Sequence, residues 1–342
     1  MSEARQRTAG MLYGCFIADA LAMPVHWYYD REALHGEYGE MDNFLAPRHP
    51  HSGSILWRSS YEAPNDRGEI LHDQAPFWGR RGIHYHQNLQ AGENTLNLQL
   101  ALLLARTLEE NDGYNPAQYL GKYIEFMTTP GRHRDTYIEE CHRHFFTRYA
   151  RGAAPEKCGV EDVHIGGLAH VPTLCSWFGR SVDLARKEVA RHVALTHNSS
   201  LTLNAADTLT RILCSLLDGA RIRDALREHA ADWLPPKQSI EWLREPDSVV
   251  VGRRFSTACY IQDAFPATLY LALKYADDPE RGLVSNAQLG GDNCHRGAVL
   301  GAILGASAGV GAWPDRWRDK LLARDDLDRF ARNAVHQSVE VR

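Results

Sequence analysis

Near its C-terminal end the chain reads QLGGDNCHRGAVLGAILGASAGVGAWPDRW, residues 288–317. Asp292, Asn293, Cys294 and His295 put an acid, an amide, a thiol and an imidazole at the head of a small-residue aliphatic run that stops at Trp313-Pro314. A carboxylate in such a place can hold a hard cation, move a proton or stabilise a developing positive charge. A thiol and an imidazole extend the choice to softer ions. A second stretch has the same design, with Gly92-Glu93-Asn94-Thr95 opening a Leu-rich segment. A third is GCFIADALAMP, where Asp19 lies among Gly14, Ala18, Ala20 and Ala22, residues small enough for tight helix packing. Three polar clusters on three apolar helices predict one polar site at the centre of a helical bundle. Each residue also has a plainer reading. Asn94, Thr95 and Asp292 suit helix N-caps, Cys294 suits a small buried hydrophobe, and His295 suits a hydrogen bond across the bundle.

The elements that must position these groups are helical. From Asn94, Leu96, Leu100, Leu103, Leu104 and Leu108 fall on one side of a helix that Asn111-Asp112-Gly113 stops. NPAQYLGKYIEFMTTPG starts with Pro116 just inside a helix and ends at Pro130-Gly131, and VDLARKEVARHVALTHNS and SLTLNAADTLTRILCSLLDGA read as two more. RIRDALREHAADWL is another, broken by Pro235-Pro236, and Pro266 implies a kink or an end in TACYIQDAFPATLYLALKYADD. Strand-like alternation is nearly absent, so the expected fold class is all-α. Residues 1–342 read as a single domain without internal repeat or linker. The exception is a Pro/His/Trp-rich insert at about 42–92, which has no helical period and is expected to be ordered and to cover a site.

The net charge of −5 excludes an electrostatic case for nucleic acid or an anionic membrane. Short basic runs such as GRHRD read as solvated faces. Seven cysteines without a C-x-x-C pair suggest reduced thiols and a cytoplasmic location. Asp19 interrupts the apolar N-terminal stretch, so neither a secretory signal nor a membrane span is expected.

Taken in order, four motifs resemble those of the ADP-ribosylglycohydrolase family, which includes the dinitrogenase reductase-activating glycohydrolases and lens-crystallin relatives. They are GCFIADALAMP, GENT opening the Leu-rich helix, LTHNSS with Thr196 and His197, and GGDNCHRGAVLGAILGASAGVGAWPDRW. The resemblance runs from about residue 8 to 318. It implies an all-α orthogonal bundle, hydrolysis of N- or O-glycosidic bonds at the anomeric carbon of ADP-ribose, and two Mg²⁺ ions between the two acidic turns. Each turn here keeps one carboxylate where the family pattern has two, so the implied ligands fall from four acids to Glu93 and Asp292.

Three arrangements follow. One ion could rest on Glu93 and Asp292 with an amide oxygen of Asn94 or Asn293. A softer Zn²⁺ or Fe²⁺ site could use Cys294, His295, Asp292 and Glu93. Without metal, Glu93 and Asp292 become the catalytic carboxylates of a glycosidase, whose oxocarbenium-like transition state needs a nearby negative charge; this third arrangement is taken forward. Substrate contacts are expected from Asp19, His84, His86, Asn94, Thr95, Asn293 and His295. A Gly166-Gly167 loop is expected to approach a phosphate, with His197 in the pocket wall. Trp57, Phe77, Trp78 and Tyr85 would stack on a base or sugar, or pack the insert. The expected activity is a divergent hydrolase acting on a ribosyl or ADP-ribosyl small molecule, free or on a modified macromolecule. The alternatives are an inactive ADP-ribose-binding or structural protein, or an enzyme of another substrate class on the same scaffold.

Overall fold

The computed structural model describes residues 2–340, with sixteen α-helices, short 3₁₀ turns and no β-strand among them. The helices are α1 Glu3–Ala22, α2 Arg31–Tyr38, α3 Leu96–Asn111, α4 Pro116–Thr128, α5 Glu140–Ala150, α6 Val171–Phe178, α7 Val182–Val193 and α8 Ser200–Leu217. They continue with α9 Ile222–His229, α10 Pro236–Trp242, α11 Asp247–Val250, α12 Ile261–Lys274, α13 Pro279–Gln288, α14 Asn293–Ala308, α15 Asp315–Arg318 and α16 Arg324–Glu340. The all-α expectation from the 3.6-residue period therefore holds. Pro266 does not end its helix, since α12 runs through it.

The axis of the fold is the pair α1 and α14. Both are buried along nearly their whole length, so neither needs an amphipathic stripe. Gly10 and Gly14 on α1 face Gly305 and Gly301 on α14, and the backbones touch. A Cβ on Gly301 would lie 2.0 Å from the Gly14 carbonyl oxygen, and one on Gly305 would lie 1.9 Å from that of Gly10. Trp313 locks the crossing by donating its indole N–H to the Gly10 carbonyl at 2.8 Å. Taken with the turn after it, α1 is more apolar than the interruption at Asp19 suggested. Glu3–Val25 is long and apolar enough by length and composition to cross a membrane, but its apolar window is wholly buried as the core helix of the bundle.

The insert has no α-helix between α2 and α3 and consists of turns and short 3₁₀ segments. It sends His51, His84, Tyr85 and His86 inward, where all are buried. A Gly-Gly-Asp turn then delivers α14. Gly290 and Gly291 both have left-handed φ, +64° and +65°, and a Cβ on either would strike a backbone oxygen, of Tyr28 or of Thr257, at 2.1 Å. Only glycine fits such a place. The turn is tied by Gly291 N–H to Tyr28 O at 2.7 Å and Asp292 N–H to Thr257 O at 2.8 Å.

Because no side chain separates α1 from α14, Gly301→Ala is expected to destabilise the fold by about 3 kcal/mol. Gly121→Ala, on an open face of α4 with nothing near its added methyl, should stabilise by about 0.5–1 kcal/mol. Urea unfolding of the two variants checks the contrast, and equal effects would contradict the crossing described.

Candidate functional site

Where the start of α14 meets the turn after α1, six buried or half-buried side chains form one unbranched polar chain. Asp135 Oδ1 lies 2.6 Å from His86 Nδ1, and His86 Nε2 lies 2.6 Å from His26 Nδ1. His26 Nε2 is 3.0 Å from Asp292 Oδ1, and the same oxygen is 2.9 Å from His295 Nδ1. His295 Nε2 then reaches Glu139 Oε1 at 3.1 Å. The rings of His26 and His86 stack with centroids 5.0 Å apart, and His26 meets His295 edge-on at 5.5 Å.

Each member is placed by backbone that the fold has already spent. Asp292 is the N-cap of α14 and accepts the His295 N–H. His295, on the first turn, points across to Glu139, which sits just before α5. His26 follows the end of α1, next to Trp27, whose φ of +66° is a strained value for a bulky residue. The Trp27 N–H is held by Gly291 O at 2.8 Å, and its ring stacks on His26 at 4.8 Å. Asp135 divides its carboxylate between His86 and the Leu96 N–H at the head of α3.

Electrostatics follow the geometry. Burial would raise the Asp292 carboxyl, but His295 and His26 outweigh it and hold it well below the ordinary carboxylate range. Burial likewise opposes Glu139, yet His295 brings it to about 2. Burial would lower His295; Asp292 and Glu139 on either side raise it well above the usual imidazole value. Burial prevails at His26 and takes it to about 4.

This chain forms the floor of a cavity of about 410 Å³ whose lining includes Asp292, His295 and Glu139. Trp27, Tyr29, Tyr85, Tyr137 and Tyr260 supply its walls, with Arg58, Arg143, His164 and Cys259 also on the lining. Tyr85 and Tyr137 pack edge-on at 5.5 Å, so the walls form a connected aromatic surface.

The residues expected at the site divide into groups. Asp292, His295 and His86 belong to the polar chain. Glu93 does not: its carboxylate accepts from the Gln90 N–H at 2.9 Å and pairs with exposed Arg134 at 2.7 Å. It turns outward because it closes the tight turn before α3, and Glu139 is the carboxylate that faces His295. Asp19, Asn94 and Thr95 lie together behind the floor. Asp19 accepts from the Asn94 amide at 2.9 Å, the Thr95 N–H at 2.9 Å and the Thr95 hydroxyl at 2.7 Å, so it anchors the head of α3. Asn293 donates to the carbonyls of Val25 and Ala287. His84 turns away from the cavity, donating to Pro24 O and accepting the His86 N–H. The Gly166-Gly167 loop is no phosphate cradle. Both residues are fully buried, Gly166 against Glu139 and Gly167 against the His197 ring. His197 belongs to a neighbouring cluster with His142, His170 and His192 around a cavity of about 20 Å³, and its ring comes within 4.8 Å of the Glu139 carboxylate. Of the insert aromatics, Tyr85 lines the site, whereas Trp57 lies under the guanidinium groups of Arg58 and Arg81.

His26, Asp135 and Glu139 were not anticipated. The density of acids and histidines in RHRDTYIEECHRH is the one signal that pointed to the last two, and its basic start suggested a solvated face instead.

The donors present do not match a pair of magnesium ions. Such a centre needs carboxylates with open oxygens, but both oxygens of Asp19 are taken by Asn94 and Thr95 and Glu93 faces outward. The atoms around Asp292 are imidazole nitrogens, which Mg²⁺ disfavours.

Comparison with known proteins agrees with the fold. The family model described as ADP-ribosylglycohydrolase matches residues 1–342. Crystallin J1A of Tripedalia cystophora is 21% identical over 312 residues, which cover 86% of this chain and 85% of that protein. A solved structure titled as an ADP-ribosylglycohydrolase-related protein complex superposes with a TM-score of 0.66 at 21% identity, covering 99% of this chain and 100% of its own.

The second histidine cluster generates an acid-lability prediction. Burial lowers His142 and His170 to about 4, against about 6.5 when unfolded. The unfolded chain therefore takes up protons first, so their contribution is complete above pH 6.5 and is lost as pH falls toward 4. Urea midpoints should drop across that window, and a His142→Gln/His170→Gln double variant should show a shallower drop. An unchanged slope in the variant would contradict the assignment.

Proposed function

The chain belongs to the ADP-ribosylglycohydrolase family, and from that premise we propose that it hydrolyses a glycosidic bond at the anomeric carbon of a ribosyl group. The observation that carries this reading is the juxtaposition of Glu139 and Asp292, bridged by His295, on the floor of an aromatic-walled cavity. Two carboxylates kept ionised in a buried place complement a cation that forms only in the transition state. The oxocarbenium-like state of a ribosyl group is such a cation.

In the reaction the bond from the anomeric carbon to the leaving nitrogen or oxygen breaks and its electron pair leaves with that atom. A water oxygen bonds to the carbon, one water proton remains on the new hydroxyl, and the other balances the leaving group. Glu139, with one oxygen engaged by His295, directs the incoming water with the other. The second proton passes from the water to the leaving atom within the cavity, while His295, backed by Asp292, holds Glu139 in place. The aromatic walls suit the flat face of a nucleobase or the apolar face of a sugar. Arg58 and Arg143 on the lining suit a phosphate-bearing substrate.

The test is a panel of ribosyl substrates, from nucleosides to ADP-ribosyl conjugates, with free ribose or ADP-ribose as the readout. Glu139→Gln should lower kcat by about 100-fold or more. Arg58→Ala should raise KM for phosphate-bearing substrates and leave nucleosides unaffected. Ligand binding without turnover across the panel would instead identify a silent ADP-ribose-binding protein.

A further inference from the structure

The polar chain at the site has more contacts than its own protons can fill. Five contacts link Asp135, His86, His26, Asp292, His295 and Glu139, and every one joins two atoms that are acceptors unless a proton stands between them. Counted with every imidazole neutral and every carboxylate ionised, the chain holds three protons. On that count it is short by two, and extra protons or a cation must supply the missing positive charge.

The neighbouring histidine cluster is a control within the same molecule. His170 Nε2 donates to Asn97 O at 2.9 Å, His192 Nε2 donates to His170 Nδ1 at 2.9 Å, and the Tyr114 hydroxyl donates to His192 Nδ1 at 2.9 Å. Two neutral imidazoles and one phenol fill three contacts there with nothing left over. The deficit belongs to the first chain alone of the two.

The place of the deficit follows from the outer partners. Asp135 requires the proton of His86 on Nδ1, which leaves His86 Nε2 as an acceptor for the N–H of His26 Nδ1. Glu139 requires the proton of His295 on Nε2. His26 Nε2 and His295 Nδ1 are then bare lone pairs, and both face the Asp292 carboxylate: His26 Nε2 lies 3.0 Å from Oδ1, and His295 Nδ1 lies 2.9 Å from Oδ1 and 3.1 Å from Oδ2. These three ligand atoms all lie within 4.8 Å of one another in a buried setting. A cation with bonds of about 2.1 Å at right angles spaces neighbouring donors about 3.0 Å apart.

From this the structure assigns His26, Asp292 and His295 as a site for one borderline divalent transition-metal ion of the Zn²⁺ and Fe²⁺ class, in place of a magnesium pair. Two imidazoles and one carboxylate on one side of an ion leave its other positions open, and Asp292 and His295 border the aromatic cavity. Each ligating ring has the outer acceptor that orients a metal-bound histidine: Glu139 for His295, and His86 backed by Asp135 for His26. The two charges of the ion take the place of the two protons that the chain lacks. What the open positions do rests on the glycohydrolase reading, whereas occupancy is measured without any substrate.

The experiment uses the full chain without a histidine tag, stripped with dipicolinate and titrated with Zn²⁺ and, separately, with Co²⁺ as a coloured stand-in. The expected results are one ion per chain and visible Co²⁺ bands. Millimolar Mg²⁺ should not compete. His295→Ala and Asp292→Ala should abolish tight binding, and His86→Ala should weaken it by about 10- to 100-fold. His35→Ala, at an exposed histidine of α2, should bind as the parent does. Circular dichroism checks folding, and the Co²⁺ spectrum of the unmodified chain needs no variant. Zn²⁺ and Co²⁺ both failing to bind, or competition by Mg²⁺, would overturn the assignment. Bound ion with no hydrolysis would sink the glycohydrolase reading alone.

Discussion

Everything at the site depends on two helices meeting without side chains between them. Gly10 and Gly14 of α1 rest on Gly305 and Gly301 of α14, backbone on backbone. That contact fixes the distance between the end of α1 and the start of α14. It therefore decides that His26, four residues past α1, and Asp292, one residue before α14, share a hydrogen bond. A single methyl inserted at the crossing acts on the geometry of the polar chain from a distance, because the helices are rigid over the length between.

The polar chain is in turn costly to bury. Asp292, His26, His86 and Asp135 are almost wholly removed from water, and groups of this kind are tolerated inside a protein only when their partners are in place. The Gly290-Gly291 turn, the strained Trp27 and the divided carboxylate of Asp135 supply those partners. Asp19 performs a parallel task one layer deeper, tying the head of α3 to the body of α1. Buried acid thus serves two ends in adjacent layers, one structural and one facing a cavity.

Much of this was legible in the sequence, for identifiable reasons. The helices declared themselves because the buried face of each recurs every three or four residues, as in the leucines of α3. Asp292 and His295 were conspicuous because polar residues at the head of an apolar run need an explanation. Glu93 was misplaced because position in a turn does not reveal which way a side chain points, and its partner Arg134 lies 41 residues further on. His26 escaped because it follows Pro24, where no periodicity orients a reader. Asp135 and Glu139 escaped because their segment has no helical period and starts with basic residues. Pro266 promised a break that the surrounding contacts of α12 overrode.

The cavity draws its floor and its walls from different kinds of chain. Most of the floor stands on the turn after α1, the head of α14 and the segment before α5, but His86, Tyr85 and part of the rim come from the irregular stretch between α2 and α3. Such a stretch can lengthen, shorten or change its aromatics with little effect on how α1 crosses α14. The architecture thus separates most of the polar floor from much of the aromatic rim, as parts that can diverge at different rates. One floor can be given different walls by rewriting the part of the loop that does not carry His86.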